Sequence, residues 1–347
     1  MTADIAAILA VDGIATGAIY VLVAIGTVLI FTVTRVMFIP FGDIAAFTAL
    51  TLAAIETKRL PGTAGLVIVL AVLAALVEVV SLWRRGHSRR IPRALGFYLA
   101  LPLAVVALGY LLAPLALPMP ARIALALMLV LPISPLLDRI VFRPIADATV
   151  LLLLIVSMAL HFALVGLGLL FFGPEGIRTQ PLTSMSFELG GVFITGQAAL
   201  IVVTGLVLSG MLFAFFDFTL IGKALRATAV NRTGARLMGI RPARAGTVAY
   251  LLGSLMAGVS GILIAPVNTI FYDSGFLLGL KAFVGAIIGG LVSYPATALG
   301  ALAVGVLESF ASFQSSALKD VIVFSLLIPI LLWRSLGHVH SEEEAEE

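Results

Sequence analysis

The sequence predicts an all-α fold, a polytopic integral membrane helical bundle of about 10–11 segments, some broken or re-entrant. Three observations carry this. Of 347 residues, 61% are hydrophobic and 11% charged, where an average soluble domain is about 25% charged. Apolar runs of eighteen or more residues recur along the chain, and mean hydropathy is +1.18, the pattern of helices that cross a bilayer core. Lys and Arg collect in the short polar interruptions between those runs, as they do in loops that stay on the inner side of a membrane.

Eleven apolar segments follow one another near 5–32, 36–56, 62–83, 95–117, 121–137, 148–172, 197–216, 247–271, 276–292, 296–316 and 320–333. The first lacks a basic leader, so it reads as a retained span rather than a cleaved signal peptide. The second opens on Phe38-Ile39-Pro40-Phe41-Gly42-Asp43, where Pro40 and Gly42 should interrupt a helix. Broken helices of this kind expose backbone dipoles and line substrate paths. The plainer reading is a helix start with Asp43 as its cap. The segments near 276–292 and 320–333 fall short of about 20 residues, the length of a full crossing. Between 173 and 197, turn formers mix with apolar residues, so this stretch reads as an external loop that covers a pore mouth or meets an external partner.

Asp217–Gly246 is the long polar interruption of the second half. It carries Lys223, Arg226, Arg232, Arg236, Arg241 and Arg244 against one acid, Asp217. Helix formers dominate Lys223–Val230. Asn231 or Thr233 can cap a second short helix through Met238, Gly239 stops it, and Pro242 follows. A cationic helical loop between two spans is either a topology signal or a docking surface for a soluble partner. With this loop in the cytoplasm, Arg35, Arg84, Arg85, Arg89, Arg90, Arg93, Arg139, Arg143 and Arg334 also fall inside. Fifteen of the 21 Lys and Arg then share one side, which places the N-terminus outside and the C-terminus in the cytoplasm. Residues 334–347 read as an acidic, unstructured tail, with His338 and His340 as solvated residues rather than metal ligands.

Thirty-three glycines cluster late, among them Gly285, Gly289, Gly290, Gly300 and Gly305. Glycine permits close helix approach in lipid, here read as packing within one chain in preference to a subunit interface. Asp12, Asp43, Glu56, Glu78, His161, Lys281, Glu308 and Asp320 are ionisable groups within or beside spans and default to functional candidates. Glu56 and Glu78 stand near segment ends that can reach water. His161 reads as a satisfied interior imidazole, and Asp320 as an ion-pair partner of Lys319. There is no cysteine, hence no thiol chemistry. The chain lacks HExxH, GxSxG and GxxxxGK[ST], so it holds no recognisable enzyme site and no phosphate loop of its own. The basic residues fit membrane topology, not nucleic-acid binding.

Four stretches carry a resemblance: DGIATGAIYVLVAIGTVLIF from Asp12, DRIVFRPIAD from Asp138, GKALRATAVNRTGARLMGI from Gly222, and Gly275–Ser309 running on into KDVIVFSLLIPILL from Lys319. Together they resemble the LivH-type permease subunits of bacterial branched-chain (hydrophobic) amino acid ABC importers. The resemblance implies one half of a pore in the inner membrane, beside a LivM-like second permease. It implies two cytoplasmic ATPase subunits that bind ATP and Mg, so no cofactor in this chain, and a periplasmic substrate-binding protein. Residues 1–333 would be the permease domain and 217–246 its coupling loop, with Gly222, Lys223, Arg226, Ala227, Ala229, Arg232, Arg236, Gly239 and Ile240 at the ATPase. Phe38, Pro40, Phe41, Gly42 and Asp43 would line the path.

Two departures stand out. Phe38 and Phe41 replace a polar Asn and His common in the family. Residues 84–120 have no counterpart and read as an added basic loop and membrane hairpin. Val230 also stands where an acid is frequent. Rival readings are an ABC permease for urea, short amides or sugars, a secondary transporter using Asp43 or Glu308 as a proton relay, and a membrane enzyme or scaffold.

Overall fold

A computed structural model describes residues 3–189 and 192–325, together with Pro329 and Leu332. The expectations for Arg334 and for the acidic tail with His338 and His340 lie outside the described residues. Helix α1 (Ala3–Thr34) is followed by α2 (Phe41–Glu56) and α3 (Gly62–Arg84). Next come α4 (Ile91–Leu95) and α5 (Leu101–Leu112), joined by a π turn at Gly96–Ala100 into one run, Ser88–Leu112. Helices α6 (Met119–Val130) and α7 (Ile133–Leu137) make a second run, Met119–Ile145. After α8 (Val150–Phe172) and α9 (Gly196–Phe218) come the short α10 (Leu220–Val230) and α11 (Arg232–Leu237). The last are α12 (Pro242–Ile264), α13 (Gly275–Ile288), α14 (Tyr294–Gln314) and α15 (Lys319–Ser325).

Among the described residues, eight helices are long and apolar enough to cross a membrane. Helices α2 and α13, with 16 and 14 residues, reach about 24 and 21 Å at 1.5 Å per residue, short of a core of about 30 Å. The expectation of broken segments therefore lands on these two.

One expectation needs correction. Residues 84–120 hold one complete apolar helix, Ser88–Leu112, and its return limb is Met119–Ile145, which itself carries Asp138. The hairpin is thus longer than the stretch without counterpart, because an apolar run records where a helix lies and not which neighbour it turns back beside. The loop after Gly173 contains a short hairpin. Strands β1 (Ser186–Leu189) and β2 (Val192–Thr195) pair antiparallel, with Phe187 opposite Ile194. Arg178 Nε donates to the Pro266 carbonyl at 2.8 Å, and Ile177 bridges Ile270, so the stretch is tied to the end of α12. Glycine also brings α1 against α14. A side chain on Gly13 would lie 2.6 Å from Val306 Cα, and one on Gly305 would collide with Gly17, so α1 and α14 cross in backbone contact. Gly285 faces Ala301 and Gly300 faces Ile288, as expected for packing within one chain.

Candidate functional site

The chain leaves α1 at Thr34, turns through Arg35 in the left-handed region (φ 62°) and runs extended to Pro40 before α2 begins. Pro40 supplies a fixed φ of −61° at the helix start and no N–H, which suits that position. The Ile39 N–H is shared between the Met37 carbonyl at 3.1 Å and Ser157 Oγ on α8 at 2.9 Å. Phe41 packs against Gly26 and Gly253, eight residues before the end of α1 and eleven after the start of α12. The break thus lies about 12 Å or more along the bundle at 1.5 Å per residue, not at its rim. Phe38 stands at its centre, with ring centroids 5.3 Å from Tyr250, 5.8 Å from Phe142 and 6.5 Å from Phe41, all edge-on. A small apolar cavity of about 90 Å³ opens beside it, lined by Thr27, Phe38, Phe41, Met158, Phe276 and Phe283.

The first turns of α2 and α13 meet there. A side chain on Gly42 would lie 2.7 Å from Gly279 N and would strike the Gly275 carbonyl, and one on Gly275 would lie 2.6 Å from Asp43 Oδ1. Two helix N-termini, each carrying partial positive charge, converge on one carboxylate. Asp43 does not cap α2. Pro40 occupies the cap position without a side-chain bond, and Asp43 Oδ2 pairs with His161 Nδ1 at 2.7 Å. The ring of His161 stacks on Phe276, centroids 4.8 Å apart. Asp43 is 1% exposed and His161 3%. A carboxylate this deep is held by a charged or hydrogen-bonded partner because water is not at hand. His161 is the satisfied imidazole expected, and its partner is the group it satisfies.

At the end of the bundle reached by Arg35, α9 gives way to an elbow. Thr219 caps α10 through the Gly222 N–H at 3.0 Å, and Asn231, rather than Thr233, caps α11 through the Gly234 N–H at 2.8 Å. Gly239, at φ 82°, ends α11, a left-handed position that favours glycine. Gly222 is buried, and a side chain there would collide with Phe215 on α9. It sets the bend of the elbow. Arg226 donates to Asp217 Oδ1 at 2.8 Å, with its guanidinium 6.0 Å from the Phe216 ring centre. Lys223, Ala227 and Arg236 are exposed, whereas Ala229, Arg232 and Ile240 are half-buried. Apolar side chains crown the elbow: Val230 is 81% exposed, Leu237 84% and Met238 82%. Between α10 and α11 lies a groove of about 480 Å³ lined by Arg226, Ala227, Val230, Ala235, Met238 and Ile240.

Arg143 ties this elbow to the bundle. Its Nε donates to Asp138 Oδ2 at 2.8 Å, and its other nitrogens donate to the Ala243 carbonyl at 3.0 Å, to the Tyr98 hydroxyl at 3.3 Å and to Thr247 Oγ1. One planar fork thereby joins DRIVFRP to the first turn of α12 and to the Ser88–Leu112 helix, geometry that an ammonium cannot reproduce. Arg143→Lys is expected to lower stability by about 1–3 kcal/mol, read as an earlier unfolding transition in detergent. Nearby, half-buried Glu78 pairs with Arg139.

A family model described as "Branched-chain amino acid transport system / permease component" matches residues 9–331. The chain belongs to this permease family. It is 30% identical over 209 residues to the high-affinity branched-chain amino acid transport system permease protein LivH of Salmonella typhimurium, which covers 58% of this chain and 68% of that protein. It is 32% identical, over the same length and shares, to BraD of Pseudomonas aeruginosa. A probable LivH of Methanocaldococcus jannaschii is 30% identical over 95 residues, 27% of this chain and 30% of that one. No solved structure matches the chain. With its eight apolar helices, this permease is a multi-pass membrane protein.

Of the five path candidates in the permease, Phe38 and Phe41 line the cavity at the break, whereas Pro40, Gly42 and Asp43 are not among its lining residues. Sequence reasoning missed Phe276 and Met158, because nothing local marks an apolar side chain on α13 or α8 as facing the break. Asp320 also departs from expectation. Its Oδ1 lies 2.8 Å from Lys281 Nζ, while Lys319 Nζ stands 4.0 Å from Glu308 Oε1. Adjacent residues on a helix point apart, so Lys319 and Asp320 meet different neighbours.

Proposed function

We propose that this permease moves branched-chain or other hydrophobic amino acids through the bacterial inner membrane as one half of an ABC importer pore. Its second half is a LivM-like permease. Two ATPase subunits hold ATP and Mg, and a periplasmic binding protein delivers the substrate. The N-terminus lies outside, and the elbow and the C-terminal tail face the cytoplasm. One observation carries the reading: a capped helical elbow, cationic and crowned by exposed Val230, Leu237 and Met238, projects from a bundle whose aromatic break, between α1 and α2, packs against Tyr250 of α12, the helix that leaves the elbow. Large apolar side chains exposed beside arginines fit a protein interface.

In this reading the ATPases close on ATP and pull the elbow. Helix α12, clamped at its first turn by Arg143, shifts with it. Tyr250, on α12, carries the shift to Phe38 at 5.3 Å, and the aromatic cluster opens or closes the path. Changing Leu237 and Met238 together to Glu is expected to cut ATP-driven uptake more than about tenfold, the scale of one lost hot spot, while the folded permease still inserts. The charge-reversed pair Arg226→Glu with Arg232→Glu should also uncouple ATP hydrolysis from uptake. Uptake unchanged in both variants would remove the docking role.

A further inference from the structure

At the end of the bundle away from the elbow, charges of both signs gather around open space. Tyr20, near the middle of α1, donates its hydroxyl to Glu308 Oε2 at 2.5 Å. Lys281 on α13 donates to Glu308 Oε1 at 2.5 Å and faces Asp320 at 2.8 Å. Lys281 is 6% exposed and Glu308 9%. Buried charges this far along membrane helices are expensive and default to functional candidates. Two adjoining cavities, of about 330 and 320 Å³, share Tyr20, Asn268, Glu308 and Lys319. The first adds an apolar wall of Ala46, Ile264, Leu277 and Leu278. The second adds Asp12.

We propose that this cleft binds the zwitterionic head of an aliphatic α-amino acid. Lys319 answers its carboxylate, Asp12 its ammonium, and the apolar wall receives its side chain. The proposal rests on the transport reading above and names where the substrate first sits.

The chemistry discriminates. Lys281 is already neutralised by two carboxylates, but Lys319 reaches Glu308 only at 4.0 Å. Asp12 has no partner charge among the described residues. Lys319 and Asp12 therefore offer one unsatisfied charge of each sign. A zwitterion satisfies both at once and leaves the net charge of the cleft unchanged. A sugar or urea would satisfy neither formally, and a simple anion or cation only one. Charge-assisted hydrogen bonds are the stronger ones, and a cleft of this volume with one apolar wall suits a small ligand.

The test is equilibrium binding of radiolabelled L-leucine to the complete transporter in nanodiscs, without its binding protein. Saturable binding is expected, weakened at least tenfold in Lys319→Gln and in Asp12→Asn, both surface-accessible changes that spare the buried ion pair. L-leucinol, which lacks the carboxylate, should compete at least tenfold worse than L-isoleucine. If the wild type takes up leucine once binding protein and ATP are added, yet binds none by itself, the cleft is not a substrate site. Unaltered binding in both variants overturns it too, as does release of the second permease by Lys319→Gln, which would mark a subunit contact instead. Absence of any ATP-driven amino acid uptake overturns the transport reading, and this site with it.

Discussion

Replacing His161 with leucine is expected to cost about 3–5 kcal/mol of stability, the usual consequence of removing one partner from a buried pair. The reason is Asp43, 1% exposed, whose Oδ2 holds His161 at 2.7 Å and whose Oδ1 has no hydrogen-bond partner among the described residues. Without the imidazole the carboxylate must stay charged in an apolar surround or bind a proton, and either is costly. The double variant His161→Leu with Asp43→Leu should recover much of the loss, because no buried charge is left behind. A chemical unfolding series in detergent on the wild type, both single variants and the double variant reads this coupling directly. If His161→Leu unfolds within about 1 kcal/mol of the wild type, the range of an ordinary substitution, the pair does not hold the break together. Transport is expected to fall in the single variants as well, since the pair fixes α8 against the start of α2 next to Phe38.

Gly42→Val is expected to abolish a folded permease. The position leaves no room for a side chain, and what it would strike is the carbonyl of Gly275 and the amide of Gly279, the latter at 2.7 Å. Backbone cannot rotate aside as a flexible side chain can, so the cost exceeds the usual overpacking penalty of about 1–3 kcal/mol. Separation of α2 from α13 would also pull the N-terminus of α13 away from Asp43. Gly42→Ala should show the same defect in milder form. Gly210→Val on α9 is the control, since a side chain there meets nothing within 4 Å. Monodisperse elution and the yield of detergent-extracted protein separate the cases. A Gly42→Val permease with wild-type yield and melting would show that the two half-length helices do not need contact.

The elbow was almost wholly legible in the sequence. Its caps, its stop at Gly239 and its helix formers act within one or two turns, so local chemistry decides them. Asn231 over Thr233 was the one open choice, and Asn231 prevails by reaching the Gly234 N–H at 2.8 Å. The break at Pro40 was legible for the same reason. Its depth was not, because depth depends on Phe41 meeting Gly26 and Gly253 on two other helices.

From the sequence by itself came the membrane class, the apolar segments and their order, the arginine-rich elbow and the likeness to one permease family. The first three follow from composition, spacing and short-range capping, and the likeness from the four stretches that carry it. Only the tertiary structure decided that Asp43 answers His161 across 118 positions of chain. It also decided that Asp320 answers Lys281 and not Lys319, and that α14 closes on α1 through glycine. In a chain that is apolar nearly throughout, hydrophobicity does not say which helix faces which. That choice falls to the few sites where a charge needs a partner or two backbones need the space of a missing side chain.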